Sequence, residues 1–192
     1  MPNPLDQLET FLAHNRQEWR EWLQTNYRTS RGIWLIFYKK ASGKPRIMYS
    51  ESVEEALCYG WIDSLPRKLD AERSMLVFTP RKPKSPWSKL NKQRIITLIE
   101  QNLMTEAGLR KIEAARQDGS WTMLDAVEEL TIPADLRAAL AANPVANDYF
   151  TAFNKSSKKG ILWWIESAKR PETRQKRIEE TVTLAARNAK AR

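Results

Sequence analysis

The run Glu54–Trp87, EEALCYGWIDSLPRKLDAERSMLVFTPRKPKSPW, decides the fold class, because its 34 residues pass from helix through two strands towards a second helix. Ser52–Leu57 reads as a helix that Gly60 ends, since glycine takes the left-handed conformation after a helix without steric cost. The chain then changes direction at Trp61. Trp61–Leu65 reads as a strand, Ser74–Thr79 as a clearer one, and Leu69–Arg73 as the hairpin connection between them. Pro80, Pro83 and Pro86 forbid further pairing. Ser85 before Pro86 reads as an N-cap followed by proline at the first helical position. That helix runs through Ile95, Leu98, Ile99 and Leu103.

Upstream, Gly32–Tyr38 is a continuous apolar run stopped by Lys39 and Lys40, which predicts a central strand buried on both faces. Leu8–Ala13 reads as a short strand. Asn15 and Glu18 have the spacing of a capping box, and Trp19, Trp22 and Leu23 then recur at helical spacing, predicting a helix to about Asn26. Ala41–Pro45 is turn chemistry, and Arg46–Tyr49 is expected to return as a short edge strand. Ser52 with Glu55 gives the capping box of the helix before Gly60.

Downstream, a helix is expected from Thr105 or Glu106 through Leu109, Ile112 and Ala115. Asp118–Trp121 marks the expected domain boundary. No strand is predicted after Ala126, and Pro133, Pro144 and Pro171 sit where helices begin. Ile161, Ile165 and Ala168 form one apolar stripe, and Ile178, Val182, Ala185 and Ala189 another. The expected fold is α+β, a small mixed sheet with packed helices, over residues 1–120, followed by an all-helical bundle over 121–192.

A chain of 192 residues, 42% hydrophobic, has enough apolar material for a core. Its single cysteine, Cys58, rules out an intrachain disulfide, and no long apolar run offers a membrane span or a leader, so a cytoplasmic location is expected. The net charge of +9 is concentrated. Residues 61–94 hold nine basic and three acidic side chains, and 169–192 hold eight and three. Segments 67–94 and 169–177, the latter with Arg170, Arg174 and Arg177 along one helix edge, are therefore candidate contacts for a nucleic acid or a protein partner. The alternative is a solvated basic face that keeps the protein soluble.

Complete catalytic constellations are missing from the sequence. His14 is the single histidine, too few for a multi-histidine metal site or a nucleophile triad with spare candidates. Gly43-Lys44 lacks the upstream glycine of a phosphate-binding P-loop. Cys58 falls three and four residues after Glu55 and Glu54 near a helix end, where neighbouring negative charge raises a thiol pKa, so it reads as structural. The other reading has later arginines folding back over it. No cofactor or metal is called for, and an enzyme is the less favoured reading.

Polar residues around the strands and the following helix start are the ligand-binding candidates: Asp63, Arg67, Arg73, Arg81, Ser85, Ser88 and Asn91, with Trp61 and Trp87 as flat apolar walls. Arginine forks with exposed N–H groups at a helix start suit a small carboxylate or phosphate. Under this reading Trp61, Asp63, Arg81 and Trp87 converge on one mouth, with Ser85 capping the helix. The competing reading has Asp63 pairing with an arginine merely to satisfy a partly buried strand end.

The motifs EEALCYGWIDS, FTPRKPKSPWSKLN, AGL, DGSW and WIESAKRPETRQKRIEETV, in that order, resemble the YdeI/OmpD-associated or bacteriocin-protection family from Trp19 to about Ala186. The resemblance implies a bacterial, cytoplasmic protein connected with tolerance of bacteriocins or cationic antimicrobial peptides. It implies no reaction and no assigned residues. Three classes follow: a stress-response protein binding an anion in a Trp/Arg-lined groove, a nucleic-acid-binding module, and an enzyme of unknown reaction.

Overall fold

Strand β2 (Ile33–Tyr38) organises the first part of the chain, and five of its six residues are buried. Such a run needs cover on both faces, and both are covered. Towards one face point Ile33, Leu35 and Phe37, joined by Leu76 and Phe78 in the larger core. Towards the other lie Trp34 and Ile36 with Met75 and Val77, packed against Leu5, Leu8 and Leu12. The indole of Trp34 donates to the Leu5 carbonyl at 2.8 Å.

The computed structural model describes residues 4–191, and the chain divides into two compact units, Met1–Thr122 and Met123–Arg192. In the first unit follow β1 (Thr10–Leu12), α1 (Arg16–Asn26), β2, α2 (Tyr49–Cys58), β3 (Trp61–Lys68), β4 (Arg73–Pro80), α3 (Lys89–Glu100) and α4 (Glu106–Gln117). The four strands make one mixed sheet in the order β1-β2-β4-β3. The β1–β2 pair is parallel, the other two antiparallel. Between Asp63 and Pro66 the β3–β4 register shifts. That irregularity, with Pro66, Arg67 and Lys68 on an edge strand, blunts the edge against pairing with another chain.

Local sequence fixes α1: the Asn15 side chain accepts from the Glu18 N–H at 2.9 Å. Trp19 and Leu23 are fully buried beneath the sheet, each worth roughly 1.5–3 kcal/mol of apolar burial. The Trp19 indole donates to the Ser52 carbonyl at 3.0 Å, tying α1 to α2.

Two sequence expectations need correction here. Arg46–Tyr49 is not an edge strand: Ile47 is buried in the core, and α2 begins at Tyr49 rather than after Ser52. Glu51 makes the difference, because its carboxylate accepts the Met48 N–H at 2.8 Å while the Ser52 hydroxyl donates to the Tyr49 carbonyl at 2.7 Å. Likewise α3 starts three residues later than Ser85-Pro86 suggested. Its N-cap is Ser88, which accepts from the Asn91 N–H at 3.2 Å.

The second unit is helical: α5 (Asp125–Glu128), α6 (Ala134–Ala141), α7 (Pro144–Ala152), α8 (Lys155–Glu166) and α9 (Pro171–Ala185). No strand occurs among its described residues. Asn143 and Asn154 cap α7 and α8 by accepting from the N–H groups of Ala146 and Ser157. Pro144 and Pro171 open their helices as expected, whereas Pro133 is the N-cap residue itself. The apolar stripes meet in a core around Leu136, Phe150, Ile161, Ile165 and Ile178. Among the described residues no helix is long and apolar enough to cross a membrane.

Candidate functional site

The end of α2 positions the site. Gly60 adopts φ +73, and a Cβ there would lie 2.7 Å from Lys111 Cγ, so the turn into β3 requires glycine. The carbonyl of Gly60 accepts the Arg81 N–H at 2.9 Å, fixing the residue that follows β4. Arg81 is 3% exposed, and its guanidinium lies 3.6 Å from the centroid of the buried Trp87 ring. Trp87 in turn packs on Trp121 with centroids 5.2 Å apart.

The five N–H groups of the guanidinium can be accounted for one by one. Nη1 donates to Ser85 Oγ at 3.0 Å and to the Pro86 carbonyl at 3.1 Å, and Nη2 donates to the same carbonyl at 3.2 Å. Nε is buried without a hydrogen-bond partner. Because Pro86 takes the end of the fork between Nη1 and Nη2, the Nε–H and the outer Nη2–H remain. They form the side edge, two parallel donors of the kind a carboxylate or phosphate accepts together. Burial pushes the Arg81 pKa down to about 10, with attraction from Asp63 acting the other way. The group therefore stays charged at neutral pH, and among the described residues no carboxylate pairs with it.

A cavity of about 50 Å³ opens beside it, lined by Arg81, Lys82, Lys84, Ser85, Trp87, Lys111, Asp118 and Ser120 among others. Lys84 holds a left-handed conformation, φ 59. Its N–H donates to Asp118 Oδ2 at 2.9 Å, and the buried Ser120 donates its N–H to Oδ1 at 2.9 Å. Hydrogen bonds from Ser120 and from Lys84 hold the Asp118 carboxyl below its ordinary pKa.

Of the sequence candidates, Arg81, Ser85 and Trp87 come together. Ser85 does so as the acceptor of Arg81 rather than as a helix cap. Trp61 and Asp63 are not among the residues lining this cavity, so the four-residue mouth is corrected. Trp61 is 1% exposed, edge-on to Trp22, with its indole donating to the Tyr27 carbonyl at 3.3 Å, because core packing claims it. Asp63 accepts from the Tyr49 hydroxyl at 2.9 Å and lines a separate groove of about 600 Å³ with Phe37, Arg46, Tyr49 and Met75. It makes no ion pair with an arginine among the described residues.

Arg67 pairs with Asp6 at 3.0 Å and stacks on Trp34, while Arg73 pairs with Asp70 at 2.7 Å in the hairpin turn. Ser88 and Asn91 build the start of α3, and the Asn91 side chain accepts from Arg94 at 2.9 Å. Lys111, Asp118 and Ser120 are not among the sequence's ligand-binding candidates, and Asp118 and Ser120 are read there only as part of the expected domain boundary. They come from α4 and the turn after it, where acidic and basic side chains balance and no charge excess marks Lys111.

Other charged features are engaged within the fold. Glu55 is 1% exposed and accepts from Arg16 at 2.5 Å and Arg20 at 2.6 Å. Cys58 is buried beside it, its thiol pushed up to about 11 by burial and then by Glu55. The arginines near that thiol come from α1, upstream of it. In the second unit Arg174 pairs with Asp135 at 2.6 Å and with Glu166 at 3.1 Å. Arg177 donates to the Trp164 carbonyl and lies over the Trp164 ring.

Two family models match the chain. Residues 11–111 match the one described as "Domain of unknown function (DUF8412)", and 129–188 match "Bacteriocin-protection, YdeI or OmpD-Associated". The motifs divide between them: EEALCYGWIDS and FTPRKPKSPWSKLN fall in the first, WIESAKRPETRQKRIEETV in the second, and DGSW between. No curated protein and no solved structure matches.

Proposed function

With the chain belonging to the DUF8412 family through residues 11–111, and carrying a bacteriocin-protection, YdeI or OmpD-associated segment at 129–188, we propose that it is a bacterial, cytoplasmic stress-response protein that binds a small anion at Arg81. One observation carries this reading: among the described residues a buried guanidinium has no paired carboxylate, and its Nε–H lacks an acceptor. Leaving a buried charged donor unmatched costs roughly 1–3 kcal/mol or more, a cost that an anion seated on that edge removes. Lys82, Lys84 and Lys111 around the cavity add attraction of the same sign.

Two features favour this over the other classes. Arg174 and Arg177, in the second basic segment, already serve acceptors within their own unit, which weakens a nucleic-acid contact there. The buried Cys58 thiol, with its raised pKa, is a poor nucleophile.

Thermal unfolding tests the reading. At matched ionic strength, millimolar phosphate or acetate raises the melting temperature of the native protein above its value in chloride. A ligand at a hundred times its Kd adds about 2.7 kcal/mol, a shift of several degrees. Arg81→Lys keeps the charge but lacks the fork; its ligand-free melting temperature falls with the lost bonds to Ser85 and Pro86, and measured against that lower baseline it loses most of the anion-induced shift. Equal shifts in both proteins would overturn the reading. A steep loss of oligonucleotide affinity with salt, without any small-anion effect, would favour nucleic acid instead.

A further inference from the structure

The surroundings of Arg81 narrow the class of anion. Resting on the reading above, we propose that the site takes a terminal phosphate group as its dianion, in preference to a carboxylate or a phosphodiester. Size limits what enters. A cavity of about 50 Å³ is less than twice the roughly 30 Å³ one water occupies in the liquid. It admits an ion or the end group of a larger molecule, whose body stays outside.

Charge then selects among end groups. Arg81, Lys82, Lys84 and Lys111 line the cavity against the single carboxylate of Asp118. Both Asp118 oxygens already accept backbone N–H groups, from Lys84 and from Ser120. Asp118 thus holds the turn in shape, and its one negative charge is outnumbered by the four cations that line the cavity. A bound carboxylate or diester brings one negative charge, whereas a phosphate monoester brings about −1.5 to −2 at pH 7 with three strong acceptor oxygens.

Donor geometry agrees with a tetrahedral group. The Nε–H and outer Nη2–H of Arg81, whose guanidinium face lies against Trp87, offer two donors for two oxygens, and seating them requires the cavity to widen at the buried Nε. Ser85 Oγ accepts from Arg81 Nη1, so its own proton is available for a phosphate oxygen. The half-buried Lys111, its stem packed on Gly60, reaches the cavity from α4. A planar carboxylate answers the arginine edge and offers no third oxygen for Ser85 or Lys111.

Calorimetry at constant ionic strength tests this with inorganic phosphate, glycerol 1-phosphate, acetate and dimethyl phosphate. The expected result is that one or both of the first two bind at least tenfold more tightly than the last two. Inorganic phosphate above glycerol 1-phosphate identifies the free ion as the ligand; the reverse identifies an ester. The glycerol 1-phosphate advantage shrinks as pH falls through about 6, where a monoester regains its second proton. Lys111→Met lowers phosphate affinity several-fold more than acetate affinity. If acetate matches phosphate in the native protein and both are lost in Arg81→Lys, the phosphate class is overturned and the anion site stands. If phosphate binds equally well to Arg81→Lys, or no anion binds the native protein, both fall.

Discussion

Replacing Glu55 by glutamine tests whether the contact between α1 and α2 rests on a buried charge network. Glu55 is 1% exposed, and its two oxygens separately accept Arg16 Nε and Arg20 Nη1. Arg16 Nη1 also reaches Glu54 at 2.9 Å, and Arg16 Nη2 is buried without a partner. Burial works against the charge on each arginine, and the hydrogen bond and attraction from Glu55 outweigh it, so both pKa values are raised. Glutamine fills the same space but offers one acceptor, no charge, and an amide donor facing two cations. Breaking a buried pair by removing one partner costs about 3–5 kcal/mol. The arginine side chains are 33% and 25% exposed, so water screens part of the loss and ~3 kcal/mol is expected. The same change reaches Cys58. Glu55 is the second cause of its raised pKa after burial, and Arg20 and Arg16 oppose it. Without Glu55 those arginines act alone, so the thiol ionises more readily. Urea unfolding and labelling by a thiol reagent at pH 8 read the two effects. A loss under ~1 kcal/mol, the range of exposed pairs, together with unchanged labelling would refute the network.

Ser88→Ala removes the N-cap of α3 and costs about 1 kcal/mol, with faster hydrogen exchange at the Asn91 amide; Ser85→Ala leaves that amide unchanged. Gly108→Ala destabilises by about 1–3 kcal/mol despite alanine's better helix propensity, measured by urea unfolding. A Cβ there would lie 2.4 Å from the Cys58 carbonyl oxygen and 2.7 Å from that of Leu57, backbone atoms that cannot step aside. At alkaline pH the unfolded thiol ionises near 9.0 while the folded one holds its proton to about 11. Stability from this group is thus complete below pH 9 and is lost as pH rises through 11, at most ~3 kcal/mol, seen as a steeper decline than in Cys58→Ala.

Local patterns were legible where no second partner competed for the same groups. The Asn15 cap, the apolar run of β2 and the helical stripes of the second unit act over a few residues, and the spacing alone reveals them. Ser85 misled because Arg81, four residues earlier, claimed its hydroxyl, leaving the capping of α3 to Ser88. Arg46–Tyr49 misled because its alternation fits a strand, while Glu51 folding back on Met48 starts a helix instead. The charge excess over 61–94 pointed to Arg81 as a candidate but could not show that Asp63 turns to Tyr49. Nor could it bring in Lys111 and Asp118, which reach the cavity from far along the chain.

An anion held on the side edge of Arg81 is reported directly by the Nε–H proton of that residue. In a ¹⁵N–¹H spectrum the Nε–H signal assigned to Arg81, identified by its loss in Arg81→Lys, is predicted to shift downfield saturably as phosphate is added. It should also exchange more slowly with water, while the Nε–H signals of Arg67 and Arg73 hold still. Phosphate binding that leaves the Arg81 Nε–H signal unmoved would contradict the account.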